Sequence, residues 1–476
     1  MNKFLKISKH IASIQLKEDL FVAWNKYSPS ILLLTSGGAK LLRNPKAAIS
    51  AKDNRRYAKF VETLAKHQFL YSEAEDPYKQ IFYDSIFKKI TDVDNNATEF
   101  YNRRGPYNNL YISNDHCNLN CGYCIRTYKN EYNYTSKAMV PKERTEKILS
   151  IVDQYIQERI KHETSPVPIS FNGGEILLEW ELIEEIIKRI EKKYHDIKFA
   201  YFMNTNMTLM NEGISKFLSD HNVEVHLSID CYREIHNKTR KYHNGAGSFD
   251  DVIRGLSIFR EHNIDNKIYG FQGTVEYPGE IIPEEIFRMN EYDFVEARLA
   301  PNLLNISKAD ARRKARLMGK LFKMNIGHKL KVTDGYFDNM KKLVNMNNYS
   351  FFFTCVGLSC FPSFGINLNI SKMSLSLLCS YINKAAVPLE QINYDIYHRN
   401  LWERAREFIM ERANSIKEKC VGCNMVGICR GGCIMSGLDN ENQMNAGACE
   451  YQREIWKKFL QITAGNITFA ELGTEN

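Results

Sequence analysis

Asp115-His116-Cys117-Asn118-Leu119-Asn120-Cys121-Gly122-Tyr123-Cys124 follows the short run Asn109–Ile112. That run reads as a strand, so the three cysteines lie on the loop that leaves it. Their C-x3-C-x2-C spacing offers three thiolates from one loop, enough for three irons of a 4Fe–4S cube with the fourth iron left open. Zinc usually asks for four ligands. These three have no obvious fourth, because His116 adjoins Cys117 and is poorly placed to share a tetrahedron with it.

Outward from that loop, strands alternate with amphipathic helices over residues 107–300. Pro168–Phe171, Lys198–Asn204, Val223–Ile229 and Lys267–Val275 read as strands. Lys142–Ile160, Leu178–Tyr194, Glu212–Asp220 and Phe249–His262 read as helices. Repeated βα units argue a parallel sheet or partial barrel, with chemistry at the C-terminal strand ends. Before them, residues 1–100 read as a small α+β module: strands at Asp19–Trp24 and Ser30–Leu34, a turn at Thr35–Gly38, a helix over Asp53–His67 and a returning strand at Gln68–Tyr71. Residues 306–349 read as a charged helical bridge. Residues 350–476 combine many cysteines with few long helices, the composition of a metal-stapled domain, closed by a helix near Ala448–Ile462.

The chain has 476 residues, 25% of them charged, and a net charge of +8. Residues 1–101 hold 16 Lys and Arg against 11 Asp and Glu, so the excess is concentrated in the first module, where it suits an acidic partner or a solvated surface. There is no dense basic stripe of a nucleic-acid reader. No apolar run reaches the ~20 residues of a membrane span, and the N-terminus lacks the apolar region of a signal peptide. A cytoplasmic protein is expected. Twelve cysteines there do not read as a disulfide framework. None precedes Cys117, and eight fall between Cys355 and Cys449, a clustering that signals metal or redox chemistry.

On these residues the segment 107–300 resembles the radical SAM (S-adenosylmethionine) superfamily. The resemblance implies a partial (β/α)6 barrel within residues 105–305. It implies that SAM binds the open iron through its amino and carboxylate groups, and that an electron then cleaves it to a 5′-deoxyadenosyl radical. Tyr123 stands where relatives pack the adenine. Asn172-Gly173-Gly174-Glu175 resembles the family's Gly-Gly-Glu motif, whose glycines admit the methionyl amino group and whose Glu175 accepts from it. Asn204 and the segment Thr205-Asn206-Met207-Thr208 resemble the next motif, with Met207 in place of the usual Gly. Ser228-Ile229-Asp230 resembles the following one, and Arg240 stands where relatives pair an Arg with the SAM carboxylate. Cys231 replaces a common Gly and reads as a spectator.

Cys420-x2-Cys423-x5-Cys429-x3-Cys433, then Cys449, with Cys355, Cys360 and Cys379 upstream, resembles the SPASM domain of peptide-modifying relatives. Two zinc ribbons would prefer paired C-x2-C knuckles. The resemblance implies an inner cluster on Cys355, Cys360, Cys379 and Cys433, and an outer one on Cys420, Cys423, Cys429 and Cys449. With the SAM cluster on Cys117, Cys121 and Cys124, that makes three 4Fe–4S clusters. Two departures stand out. Ser374 replaces the Gly usual five residues before the third ligand. Ser380 follows Cys379 where sulfatase maturases carry an Asp as base.

Asp19–Leu42 and the helix after it resemble the winged-helix-like peptide-recognition element of ribosomal-peptide maturases, which takes a leader peptide as an added strand. Together these resemblances imply a maturase that crosslinks side chains of a precursor peptide, reduced by a flavodoxin-like donor. Sulfatase maturation and peptide epimerisation or decarboxylation are the enzymatic alternatives, and an iron–sulfur electron carrier the non-enzymatic one. Tyr381, Glu296 and Arg298 are positional candidates for a substrate acid or base.

Overall fold

The computed structural model describes residues 6–27, 31–43, 55–84, 109–124, 142–162, 165–262, 270–334, 365–377, 386–429, 445–463 and 469–470. Its centre is a ten-stranded sheet. In chain order the strands are β6 (Leu110–Ser113), β7 (Val167–Asn172), β8 (Phe199–Thr205), β9 (Glu224–Ser228), β10 (Gly270–Val275), β11 (Glu296–Pro301), β12 (Lys331–Thr333), β13 (Ile366–Asn369), β14 (Ser374–Ser376) and β15 (Val387–Pro388). The spatial order is β12-β11-β10-β9-β8-β7-β6-β13-β14-β15. The first eight run parallel and the last two antiparallel.

Helices connect the parallel strands: α3 (Lys142–Lys161), α4 (Trp180–Lys193), α5 (Glu212–Asp220), α6 (Arg233–Thr239), α7 (Phe249–His262), α8 (Pro283–Arg288) and α9 (Lys308–Met324). Their boundaries have local causes. Asn211 caps α5 by accepting from Ile214 N at 3.0 Å. Ser307 caps α9 by accepting from Asp310 N at 3.1 Å. The faces they bury are apolar: Ile148, Ile151, Val152, Tyr155 and Ile156 of α3 lie in one core with Ile169 and Phe171 of β7.

Two short parallel strands from beyond residues 105–305 join the sheet. The bridge contributes β12, which pairs with the outer edge of β11, and the cysteine-rich domain contributes β13, which pairs with β6. Six barrel strands alone leave two open edges of unpaired N–H and C=O groups, and these two strands cover them. The cysteine-rich segment also holds a long helix unforeseen from its composition, α10 (Arg399–Lys419), followed by α11 (Val426–Cys429) and the closing helix α12 (Ala446–Thr463).

The N-terminal unit is a four-stranded sheet ordered β16-β4-β3-β2, made of β2 (Ile11–Lys17), β3 (Leu20–Asn25), β4 (Ile31–Thr35) and β16 (Phe469–Ala470). A two-stranded pair, β1 (Lys6–Ile7) with β5 (Leu70–Tyr71), accompanies it. Helix α2 (Arg55–Lys66) lies where expected. The turn expected at residues 35–38 is instead the start of a helix, α1 (Ser36–Arg43). Gly37 and Gly38 disfavour a helix, but a Cβ at Gly38 would stand 3.4 Å from the ring of Phe60, so close packing against α2 decides the matter.

Candidate radical SAM site

The cysteine loop is locked to its neighbours by main chain and amides. Asn114 N donates to Asn172 O at 3.3 Å, and the Asn114 side chain bridges Gly174 N (3.1 Å) and Glu175 O (3.0 Å). Gly173 has φ +144, and a Cβ there would stand 2.2 Å from Asn114 Oδ1, so only glycine lets the two loops meet. His116, the zinc candidate, accepts the Glu175 N–H on its carbonyl at 2.7 Å. On the other side Asn206 donates to Asn118 at 3.0 Å, with the same amide nitrogen 4.0 Å from Cys117 Sγ. Asn120 N donates to Lys241 O at 2.7 Å.

Inside this frame Cys121 is buried, and Cys117 and Cys124 are half-buried. Burial pushes Cys117 and Cys121 up to about 12 each, with Glu175 adding to the first and Arg240 opposing at the second. Free thiols there stay protonated, and a group that carries positive charge is needed to make them thiolates. Iron fits that requirement. Among the described residues no three His, Cys, Asp or Glu side chains converge on a single-ion site. A cube asks for no such convergence, because each thiolate takes a separate iron.

Glu175 is fully buried and does more than the motif implied. Its carboxylate accepts from Thr205 Oγ1 (2.7 Å), Asn206 N (2.7 Å) and Leu177 N (3.0 Å). It therefore ties the end of β7 to the end of β8. Burial raises its pKa, against those three donors. Asn204 donates to Asn172 Oδ1, and Ser228 ends β9 in register with Gln272, so both lie at the C-terminal rim.

Asp230, just beyond β9, gathers the remaining residues. It is fully buried and accepts from Tyr123 Oη (2.6 Å), Thr239 Oγ1 (2.8 Å) and Thr274 N (2.7 Å), with Arg240 Nε at 3.0 Å. Burial alone would raise its pKa, but the Arg240 guanidinium, His236, Tyr123 and Thr274 outweigh it and hold the carboxyl below its usual range. Arg240 also lies over the Tyr123 ring, 5.7 Å from the centroid. Tyr123 of the cysteine loop, 107 residues before Asp230, thus joins Asp230 and Arg240 in one network around a buried carboxylate.

His236 and Ser248 were not legible in the sequence. Asp230 N donates to His236 Nδ1 at 3.3 Å, which assigns the ring proton to Nε2. Nε2 meets Ser248 Oγ at 3.0 Å, and Ser248 donates to Arg240 O at 2.8 Å. The chain fixes the backbone on both sides of the Asp230–Arg240 pair. Burial, then Arg240, drives the His236 pKa down to about 3. The ring is neutral when folded and titrates near 6.5 when unfolded. Between those values the unfolded chain binds the extra proton, so stability falls by about 1.4 kcal/mol per pH unit as pH drops below ~6.5, down to about 3. His236→Gln should flatten that slope, read as urea stability of the metal-free protein at pH 7 and pH 5.

Two of the three departures at expected glycines lie in left-handed backbone: Met207 at φ +64 and Cys231 at φ +57. Met207 is fully buried, which offsets the strain. Of the substrate acid–base candidates, Glu296 opens β11 at the end opposite the cysteine loop and accepts from Thr333 Oγ1 at 2.8 Å. Arg298 follows in mid-strand. Tyr381 lies outside the described residues. Of the far cysteines, the outer set comes together. Cys420 caps α10, Cys423 N donates to Cys420 O at 3.1 Å, Cys429 ends α11 and Cys449 sits in the first turn of α12. Burial raises Cys420 to about 11, with Cys423 and Cys449 adding to it, and Cys429 is raised by burial and then by the other three. The inner set, Cys355, Cys360, Cys379 and Cys433, lies outside the described residues. Ser374 is extended in β14, and the left-handed residue of that hairpin is Met373 at φ +46, one position earlier.

Residues 111–285 match the family model described as the Radical SAM superfamily. The chain is 32% identical over 155 residues to a cysteine-type anaerobic sulfatase-maturating enzyme of Clostridium perfringens, covering 32% of this chain and 40% of that protein. It is 31% identical over 162 residues to the radical SAM cyclopropyl synthase TigE of Paramaledivibacter caminithermalis, covering 32% of each. The chain thus spans less than half the length of these two curated relatives. In fold it is similar to the solved structure of native anSMEcpe with bound AdoMet and Cp18Cys peptide, with a TM-score of 0.55 at 21% identity over 75% of this chain and 97% of that one. Among the described residues no helix is long and apolar enough to cross a membrane.

Proposed function

We propose that this chain is a radical SAM maturase that crosslinks side chains of a ribosomally made precursor peptide. The observation that carries the reading is the Tyr123–Asp230–Arg240 network, built on the buried Asp230 carboxylate beside the Cys117, Cys121 and Cys124 loop, an arrangement an electron carrier would not need. With a cluster on Cys117, Cys121 and Cys124 and SAM bound to it, the site supplies a carbon radical able to take hydrogen from a peptide.

The chain's own residues do the rest. Arg240, held by Asp230, offers its remaining guanidinium N–H groups to the SAM carboxylate. The Gly173–Gly174 backbone admits the amino group, with Glu175 fixing the loop around it. Tyr123, tied to Asp230, presents its ring to the adenine. The outer cysteines, and the inner ones with them, would hold two further clusters, which would supply an acceptor for the second electron. A flavodoxin-like protein supplies the first electron, in the cytoplasm.

The N-terminal unit supports a peptide substrate. Its sheet ends on β2, an edge strand among the described residues, where a leader could add as a further strand. Sulfatase maturation is the second reading, favoured by the names of the relatives. Against it stands Ser380, where those enzymes place an Asp base.

The test is the accurate mass of the peptide encoded beside this gene, coexpressed with the enzyme. Loss of two hydrogens supports the crosslinking reading. An unchanged mass for that peptide, with formylglycine formed in a sulfatase peptide instead, overturns it in favour of the second.

A further inference from the structure

The N-terminal unit and the outer cysteines touch. The indole N–H of Trp24, on β3, donates to Asn424 O at 2.7 Å, across 400 residues of sequence. The same ring meets Trp456 of α12 edge-on, with centroids 6.1 Å apart. Tyr27, 6% exposed, accepts the N–H of Gly422, in the loop between Cys420 and Cys423. Accepting that bond leaves the Tyr27 hydroxyl proton available to donate. Tyr83, in the helical residues 78–84, is 5% exposed, and its hydroxyl oxygen has no hydrogen-bond partner among the described residues. The two tyrosine rings lie 6.0 Å apart, and both hydroxyls are within charge range of Cys420 and Cys423.

A buried hydroxyl without a partner is costly and rare. Neither tyrosine belongs to the cysteine-rich segment, yet the Tyr27 hydroxyl reaches the Gly422 N–H within it and the Tyr83 ring lies beside that of Tyr27. The acceptors that suit them there are sulfurs.

We propose that Tyr27 and Tyr83 donate hydrogen bonds to the sulfurs of a cluster held by Cys420, Cys423, Cys429 and Cys449, so that the N-terminal unit forms one wall of that cluster's site and raises its reduction potential. This rests on the reading of those four cysteines as cluster ligands. A reduced cluster carries more negative charge than an oxidised one. Donors aimed at its sulfurs therefore favour the reduced form, and hydrogen bonding to sulfur is one of the means by which proteins tune such clusters.

The full-length protein, loaded anaerobically with iron and sulfide, is titrated potentiometrically with electron paramagnetic resonance as the readout. Tyr83→Phe and Tyr27→Phe should each leave iron content unchanged and shift one cluster to lower potential. At a fixed potential the ratio of reduced to oxidised cluster should fall about tenfold, about 59 mV for one electron. The cluster that shifts should be the one lost in Cys420→Ala and Cys449→Ala proteins. Unchanged potentials in both tyrosine variants, with iron intact, overturn the proposal. Wild-type iron content in the two cysteine variants overturns instead the cluster assignment beneath it.

Discussion

Cys121→Ala protein is expected to bind about four fewer irons per chain than wild type and to lose reductive cleavage of SAM altogether. The loop would supply no substitute ligand, because Cys117 and Cys124 would already use their thiols and His116 adjoins Cys117 and is poorly placed to share a site with it. Cys231→Gly is the contrasting case. Its thiol is fully buried, raised by burial and then by Asp230, and its backbone sits at φ +57. Glycine there relieves about 1–2 kcal/mol of left-handed strain and gives up the burial of one small side chain. Iron content and cleavage should stay at wild-type levels. Iron assay and 5′-deoxyadenosine release measure both variants, and iron loss in the glycine protein would make Cys231 a ligand.

Arg240→Met should destabilise the metal-free protein by about 3–5 kcal/mol, because it leaves the Asp230 carboxylate buried without its cation. The three remaining donors, Tyr123, Thr239 and Thr274, place the effect toward the lower end. Asp230→Asn together with Arg240→Met should recover part of the stability, since no unpaired charge remains. SAM affinity should not recover with it, because the carboxylate partner is still missing. Urea melts and SAM binding to the iron-loaded protein separate the two effects. Parallel recovery of both would show that Arg240 acts only through folding.

Much of this site was legible because its chemistry is written in short, local patterns. The C-x3-C-x2-C loop, Gly173-Gly174-Glu175 and Asp230 each follow closely on a strand end, and Arg240 stands at a fixed spacing ten residues after Asp230. The fold supplied what local pattern could not. His236 and Ser248 look like ordinary polar residues in sequence, and their role depends on Asp230 N and Arg240 O coming within reach. Helix α6, which carries His236, is too short for its periodicity to stand out. Strands β12 and β13 are three and four residues long, and their identity comes from the edges of β11 and β6 that they cover. Glu175 was legible as a motif residue, but its three donors come from β8 and the following turn as well as its own loop.

The pairing of β16 with β4 bears on the order in which the chain can be built. Phe469 and Ala470 lie beside Leu33 and Leu34, so a strand made among the first emerges from the ribosome hundreds of residues before its neighbour. Until then β4 carries an unpaired row of backbone groups on a unit whose own apolar core is small. The sheet of this unit therefore stays incomplete until β16 has been made. A nascent chain or fragment that stops short of residue 469 would present that edge to any strand it meets, including another copy of itself.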